Sequence, residues 1–211
     1  MSATAALECT TETRVTRSLL GYGVIAGPVY VTVSLAQALT RPGFDLSRHS
    51  WSLLSNGDLG WIQITNFLLT GAMVIAFGIG LRRATGSRWA GGLVAAFGVS
   101  MLGAAVFRAD PAFGFPVGAP ADQGTVSWHG MLHLLCGGIG FLCVVAAGLL
   151  LARRHAAAGR RGLAAYTAVS SVGFLGSFFG IAAGAPVLIF VAGILALFTW
   201  MSVTAVSLYR Q

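Results

Sequence analysis

The sequence predicts an all-α membrane protein: a polytopic bundle of six transmembrane helices with a short interfacial helix in the first outer loop. The first observation is composition, because 56% of the 211 residues are hydrophobic and 9% are charged, whereas a soluble domain carries about 25% charged residues. The second is that the hydrophobic residues form runs of about 20 residues, the length that crosses about 30 Å of hydrocarbon. Helices are expected because, in lipid, only helices and closed barrels satisfy the backbone hydrogen bonds.

Six hydrophobic runs follow one another along the chain. A polar N-terminal tail, 1–17, comes first, and the six-helix transmembrane domain covers 18–209. Within this domain the runs are 18–39, 61–81, 89–107, 128–151, 163–184 and, after a short turn at Pro186, a sixth run to about 208. The two long polar connections, 40–60 and 108–127, lie on one side of the predicted bundle, since each follows an odd-numbered helix.

The distribution of arginine predicts the orientation. All 13 basic residues are arginine. Ten of them lie in the two tails and in the second–third and fourth–fifth connections, and three lie on the other side, namely Arg41, Arg48 and Arg108. The positive-inside rule therefore predicts a multi-pass protein of the inner (plasma) membrane with both termini cytoplasmic. We expect no nucleic-acid partner, because the charges alternate with hydrophobic runs and no nucleic-acid-binding module is present.

The first outer connection carries the signals of a short helix, Asp45–Ser55. Asp45 is a candidate N-cap, and Asn56-Gly57 is a C-cap signal. Three apolar residues can share one face of this helix, namely Leu46, Leu53 and Leu54. An amphipathic helix of this kind lies in the membrane interface. It would cover the outer ends of the transmembrane helices and bring His49 close to them.

Polar side chains at the outer ends of the second, third and fourth helices predict a binding pocket. His129 and His133 open the fourth helix and are four residues apart, so they share one face. Pro111 restrains Asp110 to an extended conformation near the membrane surface, within hydrogen-bonding reach of either histidine. Ionisable groups at the mouth of a membrane helix are costly and therefore indicate function. The candidate ligand-binding residues are His49, Gln63, Asn66, Asp110, His129 and His133.

These residues leave three functions open, and they leave open whether the protein is an enzyme. The pocket could bind a lipid headgroup or another small ligand without chemistry. Alternatively, His129, His133 and Asp110 could hold zinc with one open position, as in a metal-dependent membrane hydrolase acting on a lipid-like substrate. Finally, the protein could be a structural partner or a homo-oligomer that associates through a ladder of small residues, which lets helices approach closely. That ladder is Gly176, Gly180 and Gly184.

Three segments resemble a bacterial membrane-protein family catalogued as domain of unknown function 998. They read SRHSWSLLSNGDLGWIQITNFLLTGAMVIAFGIGLRR, GAAVFRADPAFGFPVGAP and WHGMLH. The resemblance extends over nearly the whole chain and implies six membrane helices. It also implies a serine-rich first outer loop, an Asp110-Pro111 pair after the third helix and a histidine, His129, at the start of the fourth. It implies no particular activity.

Overall fold

The computed structural model describes residues 11–210, and within that range the chain is all-helical. Its helices are α1 (Thr11–Thr40), α2 (Gly60–Thr85), α3 (Arg88–Val106), α4 (Trp128–Ala157), α5 (Arg161–Ala182) and α6 (Val187–Tyr209). All six are long and apolar enough to cross a membrane. The predicted all-α bundle of six transmembrane helices is therefore confirmed, and the surroundings of these helices are a lipid bilayer. Of the predicted tail 1–17, residues 1–10 lie outside the described residues and 11–17 form the first turns of α1.

The six helices form a ring in which each packs against its neighbours in sequence and α6 returns to α1. One end of the ring carries two long connections, 41–59 and 107–127, which together we call the cap. The opposite end, which we call the terminal end, carries the described ends of the chain and the short connections 86–87 and 158–160.

Two contacts tie the elements of the terminal end together. The Arg17 guanidinium lies 5.4 Å from the centroid of the Tyr209 ring, which joins α1 to α6. Arg154 Nη2 donates to the Thr85 carbonyl at 2.7 Å, which joins the end of α4 to the end of α2. The arginine-rich segments of the chain therefore lie side by side at one end of the ring.

Small residues set how closely the helices approach. An added Cβ at Gly78 of α2 would lie 2.7 Å from the Gly91 carbonyl of α3, so these two helices meet at backbone contact. The predicted ladder on α5 is different, because an added Cβ at Gly176 or Gly184 would meet nothing within 4 Å. Both residues are exposed, whereas an added Cβ at Gly180, between them, would lie 3.3 Å from Ala185 of the connection to α6.

The predicted interfacial helix, Asp45–Ser55, is not confirmed. The helical part is a single 3-10 helix, Trp51–Ser55, whose N-cap is Ser50; Asn56 is its C-cap, as predicted. Asp45 instead closes a local turn, in which its Oδ1 accepts hydrogen bonds from the backbone N–H of Ser47 at 2.8 Å and from its hydroxyl at 2.6 Å. These bonds lower the pKa of the Asp45 carboxyl. Trp51, Leu53 and Leu54 are buried, so the 3-10 helix packs into the end of the ring.

Candidate functional site

His49 joins the two loops of the cap. Its Nδ1 accepts a hydrogen bond from the Asp45 backbone N–H at 2.8 Å, so the proton of the neutral ring lies on Nε2, which donates to the Phe113 carbonyl at 3.0 Å. The ring is 2% exposed and lies 5.2 Å and 5.6 Å, centroid to centroid, from Phe44 and Phe115. Because both nitrogens are occupied by backbone groups, His49 is a structural residue of the cap and has no nitrogen left for a ligand.

Arg41 fixes the 3-10 helix from the end of α1. Its Nη1 and Nη2 donate to the carbonyl oxygens of Leu54 and Asn56, both at 2.6 Å. Its guanidinium also lies 4.8 Å from the centroid of the Phe115 ring, a cation–π distance. Burial lowers the pKa of Arg41, and the negative charge of Asp58 opposes that shift. A charged side chain thus satisfies carbonyls of the first cap loop and contacts the second loop.

Asp110 anchors the start of α4. Its Oδ2 accepts from the Ser127 backbone N–H at 2.7 Å, and its Oδ1 accepts from the Ser127 hydroxyl at 2.5 Å. Ser127 Oγ in turn accepts from the Gly130 N–H at 3.1 Å, so Ser127 is the N-cap of α4. Gly130 leaves room for this arrangement, since an added Cβ there would overlap the Asp110 carboxylate. The negative charge of the carboxylate at this position also interacts favourably with the positive end of the helix dipole.

His133 is the buried candidate histidine that keeps a free nitrogen. Its Nδ1 donates to the carbonyl oxygens of Phe107 at 2.8 Å and Ala104 at 3.2 Å, which satisfies groups left unpaired at the end of α3. The proton of the neutral ring therefore lies on Nδ1, and Nε2 is an acceptor with no hydrogen-bond partner among the described residues. Asp110 is close enough to the ring to interact with it electrostatically, although it makes its hydrogen bonds to Ser127.

The three predicted metal ligands do not form a metal-binding cluster. His129 is exposed and its ring lies against that of Trp128, with centroids 3.5 Å apart and planes tilted by 34°. Both oxygens of Asp110 accept hydrogen bonds from Ser127, and Nδ1 of His133 is bound to the end of α3. Across residues 11–210, no three His, Cys, Asp or Glu side chains come together as metal ligands would. The side chains present therefore give no support to the predicted zinc site.

Gln63 and Asn66 lie in a polar interface between α1 and α2. Gln63 Oε1 accepts from Gln37 Nε2 at 2.9 Å. Asn66 Nδ2 donates to the Tyr30 carbonyl and to Ser34 Oγ, both at 3.1 Å. Both residues are buried, and neither lines the cavity described next. Their polar groups hold two helices together in a medium without water to replace these hydrogen bonds.

A cavity of about 750 Å³ lies beneath the cap. The cap supplies its roof, where the polar lining residues are Arg48, Ser50, Ser52, Asp110 and Gln123. Its deep end is aromatic: Phe141 lies about 20 Å along α4 from Trp128, and its ring centroid is 4.9 Å from that of Phe178 and 5.8 Å from that of Phe190. Between roof and floor, His133 is the titratable side chain of the wall.

The cavity reaches the lipid-facing surface of the ring between α4 and α5. Leu134 of α4 and Phe179 of α5 both line it, although they are 59% and 55% exposed. Gly138 also lines it, and an added Cβ there would meet nothing within 4 Å. Nearer the terminal end, the Gly148 backbone packs against Ser171 and closes the gap between the two helices. The cavity thus has an opening on the outer surface of the ring, between α4 and α5.

A family model described as "Protein of unknown function (DUF998)" matches residues 24–207. The chain belongs to the DUF998 family. The match begins within α1 and ends within α6, so it includes the whole cap and every residue that lines the cavity. No curated protein and no solved structure matches the chain.

Sequence reasoning on this DUF998 chain missed two residues that position the site. Ser127 had a detectable signal, because a serine directly before an apolar run is a usual helix N-cap. Arg41 had none, since the two carbonyls that it binds belong to residues 13 and 15 positions later in the chain. The cavity itself was predicted to be polar, whereas most of its wall is apolar.

Proposed function

We propose that this DUF998 protein binds a lipid-like amphiphile in the capped cavity, with the polar end of the ligand at the roof and the apolar part against the phenylalanines. The observation that carries this proposal is that five polar side chains line the cavity at the cap, beside apolar residues such as Phe113 and Val126, whereas the deep end is aromatic. Its volume, about 750 Å³, lies within the range of about 300–1,000 Å³ typical of small-molecule sites.

The polar groups restrict the class of ligand. Nε2 of a neutral His133 is an acceptor, so the group placed against it is a donor, such as a hydroxyl or an amide N–H. Ser50, Ser52 and Gln123 at the roof can donate and accept, and Arg48 adds a positive charge. A long-chain alcohol or amide combines such a head with an apolar chain.

The side opening supports entry from the bilayer. Leu134 and Phe179 form apolar edges, so a chain dissolved in lipid can pass between α4 and α5 without crossing water. On the other approach, exposed cap residues such as Arg48 and Gln123 also line the cavity, so the apolar edge is the one that faces lipid. We therefore favour a membrane-dissolved ligand over a water-soluble one.

The structure favours neither a hydrolase nor an assembly partner. For a hydrolase, the described residues bring no metal-ligand cluster together, and the Asp110 carboxylate is bound to Ser127. For a partner protein, the open face at Gly176 and Gly184 gives no indication of what would cover it. We also infer that the protein lies in the inner membrane, with the cap outside and both termini in the cytoplasm. The ten arginines of the terminal end support this orientation.

A cavity-filling variant tests the proposal. Gly137 lines the cavity, and its added Cβ would meet only Phe141, at 3.9 Å, so Gly137→Leu places a side chain in the empty space. The helix should tolerate the change because leucine is the better helix former. The matched control is Gly173→Leu on α5, which also has open space around it but does not line the cavity.

The measurements are the amount of lipid extracted from detergent-purified protein and the binding of radiolabelled hexadecanol. We expect wild type and Gly173→Leu to bind equally, and Gly137→Leu to lose most of the binding while it keeps its helical circular-dichroism spectrum. Equal binding by all three proteins, or no binding by wild type, would overturn the proposal.

A further inference from the structure

The terminal end carries a second concave feature, far from the capped cavity. It is a shallow groove of about 530 Å³ between α4 and α5. Its lining is a leucine, an arginine and five alanines: Leu149, Ala152, Arg153, Ala156, Ala164, Ala165 and Ala168. Small side chains on both helices leave a furrow that faces the bilayer, with one positive charge among otherwise apolar residues.

The charges around this groove are of one sign. Three exposed arginines lie in or beside it, namely Arg153, Arg160 and Arg161. Their side chains make no hydrogen bond to the described residues, unlike Arg154, which is held by the Thr85 carbonyl. Glu12 is the only acidic side chain at the terminal end among residues 11–210. The positive charges of the groove thus have no carboxylate to neutralise them.

We propose that the groove binds an anionic phospholipid, with an acyl chain along the alanines and the phosphate at Arg153, helped by Arg160 and Arg161. Arginine matches phosphate geometry because its planar guanidinium donates two parallel hydrogen bonds. Basic pockets between membrane helices on the cytoplasmic side select anionic headgroups in this way. The proposal does not depend on the function of the capped cavity, since the two features lie at opposite ends of the ring.

Two variants test the two halves of the groove. Arg153→Gln removes the charge within it, and its control is Arg14→Gln, which removes one positive charge from the terminal end outside the groove. Ala165→Leu fills the furrow from an exposed position, and its control is Ala157→Leu, an exposed alanine outside the lining. None of the four changes touches a buried side chain, so all four proteins should fold.

The probes are dioleoylphosphatidylglycerol and, for comparison, dioleoylphosphatidylcholine, added to protein in neutral detergent. Native mass spectrometry counts the bound lipid, and thermal unfolding reports stabilisation. We expect phosphatidylglycerol to bind and to raise the melting temperature of wild type and both controls. Arg153→Gln should bind it about fivefold more weakly, the factor expected for one arginine near an anionic surface, and Ala165→Leu should lose the bound lipid.

Three results would overturn the proposal. Equal weakening by Arg14→Gln and Arg153→Gln would show diffuse attraction to the arginine-rich end. Equal binding of phosphatidylcholine would show that the headgroup is not recognised. Wild-type binding by Ala165→Leu would show that the lipid lies elsewhere.

Discussion

Replacement of His49 should lower the free energy of unfolding, and the structure divides this loss into a hydrogen-bond part and a packing part. His49→Ala removes two hydrogen bonds, each contributing about 1 kcal/mol, and leaves a void beside Phe44 and Phe115 that costs about another 1–2 kcal/mol. The total is about 3–4 kcal/mol. For a chain of this size it corresponds to a melting temperature lower by about 10 °C.

Two further variants separate the parts. His49→Phe keeps a ring between Phe44 and Phe115 but loses both hydrogen bonds, so we expect a loss of about 2 kcal/mol. His49→Asn keeps the bond from the Asp45 N–H, because its Oδ1 takes the place of Nδ1, but loses the ring and the bond to Phe113. Its stability should lie between those of wild type and His49→Ala.

The assay is thermal unfolding of the purified protein in one detergent at one pH. The control is His129→Ala, since His129 is exposed and such substitutions usually change the free energy of unfolding by about 0.5 kcal/mol or less. If His49→Ala lowers the melting temperature no more than His129→Ala does, the cap is not held by His49. If His49→Phe is as stable as wild type, the hydrogen bonds contribute nothing.

Two other predictions concern the start of α4 and the orientation. Gly130→Ala should destabilise the protein by about 1–3 kcal/mol, because the new methyl group overlaps the Asp110 carboxylate. In an Asp110→Ala background the same change should destabilise the protein much less. Additive effects of the two changes in thermal unfolding would contradict the overlap. In a cysteine-free background, a thiol at Ala121 should react with an impermeant maleimide from outside intact cells and a thiol at Ala157 only after lysis, and labelling of both from the same side would contradict the proposed topology.

The sequence alone predicted the six membrane helices and the residue at which the 3-10 helix ends. Each helix is long enough that composition alone identifies it, and Asn56 ends the 3-10 helix where its local signal predicts. The start of that helix was missed because Asp45 hydrogen-bonds Ser47, two residues later, in a turn that competes with a helix start. Local signals thus identify elements, but they do not distinguish a helix cap from a turn.

The polar residues of α2 show a different limit. Gln63 and Asn66 were predicted to line a binding pocket, whereas they lie buried between α1 and α2. Their positions in the sequence do not indicate whether that face of α2 meets another helix or an empty cavity. The answer depended on Ser34 and Gln37, which lie at matching heights on α1 and complete the hydrogen bonds. Pairing of this kind is a property of two segments together, so neither segment predicts it alone.

The same account of hydrogen bonds explains why so few polar groups are available to a ligand. His49 is occupied by the Asp45 N–H and the Phe113 carbonyl, and Arg41 by two backbone carbonyls of the cap. Asp110 is occupied by Ser127, and the α2 amides by α1. The bonds between α1 and α2 lie within the membrane helices, where water is not available to replace them. The bonds of the cap occupy the same polar atoms that a ligand would need, so these residues offer few free groups. His133 is the exception, because one nitrogen supports α3 while the other stays unpaired at the cavity wall. Selectivity for the head of a ligand should therefore rest on this nitrogen and on the roof, and selectivity for its chain on the shape of the phenylalanine floor.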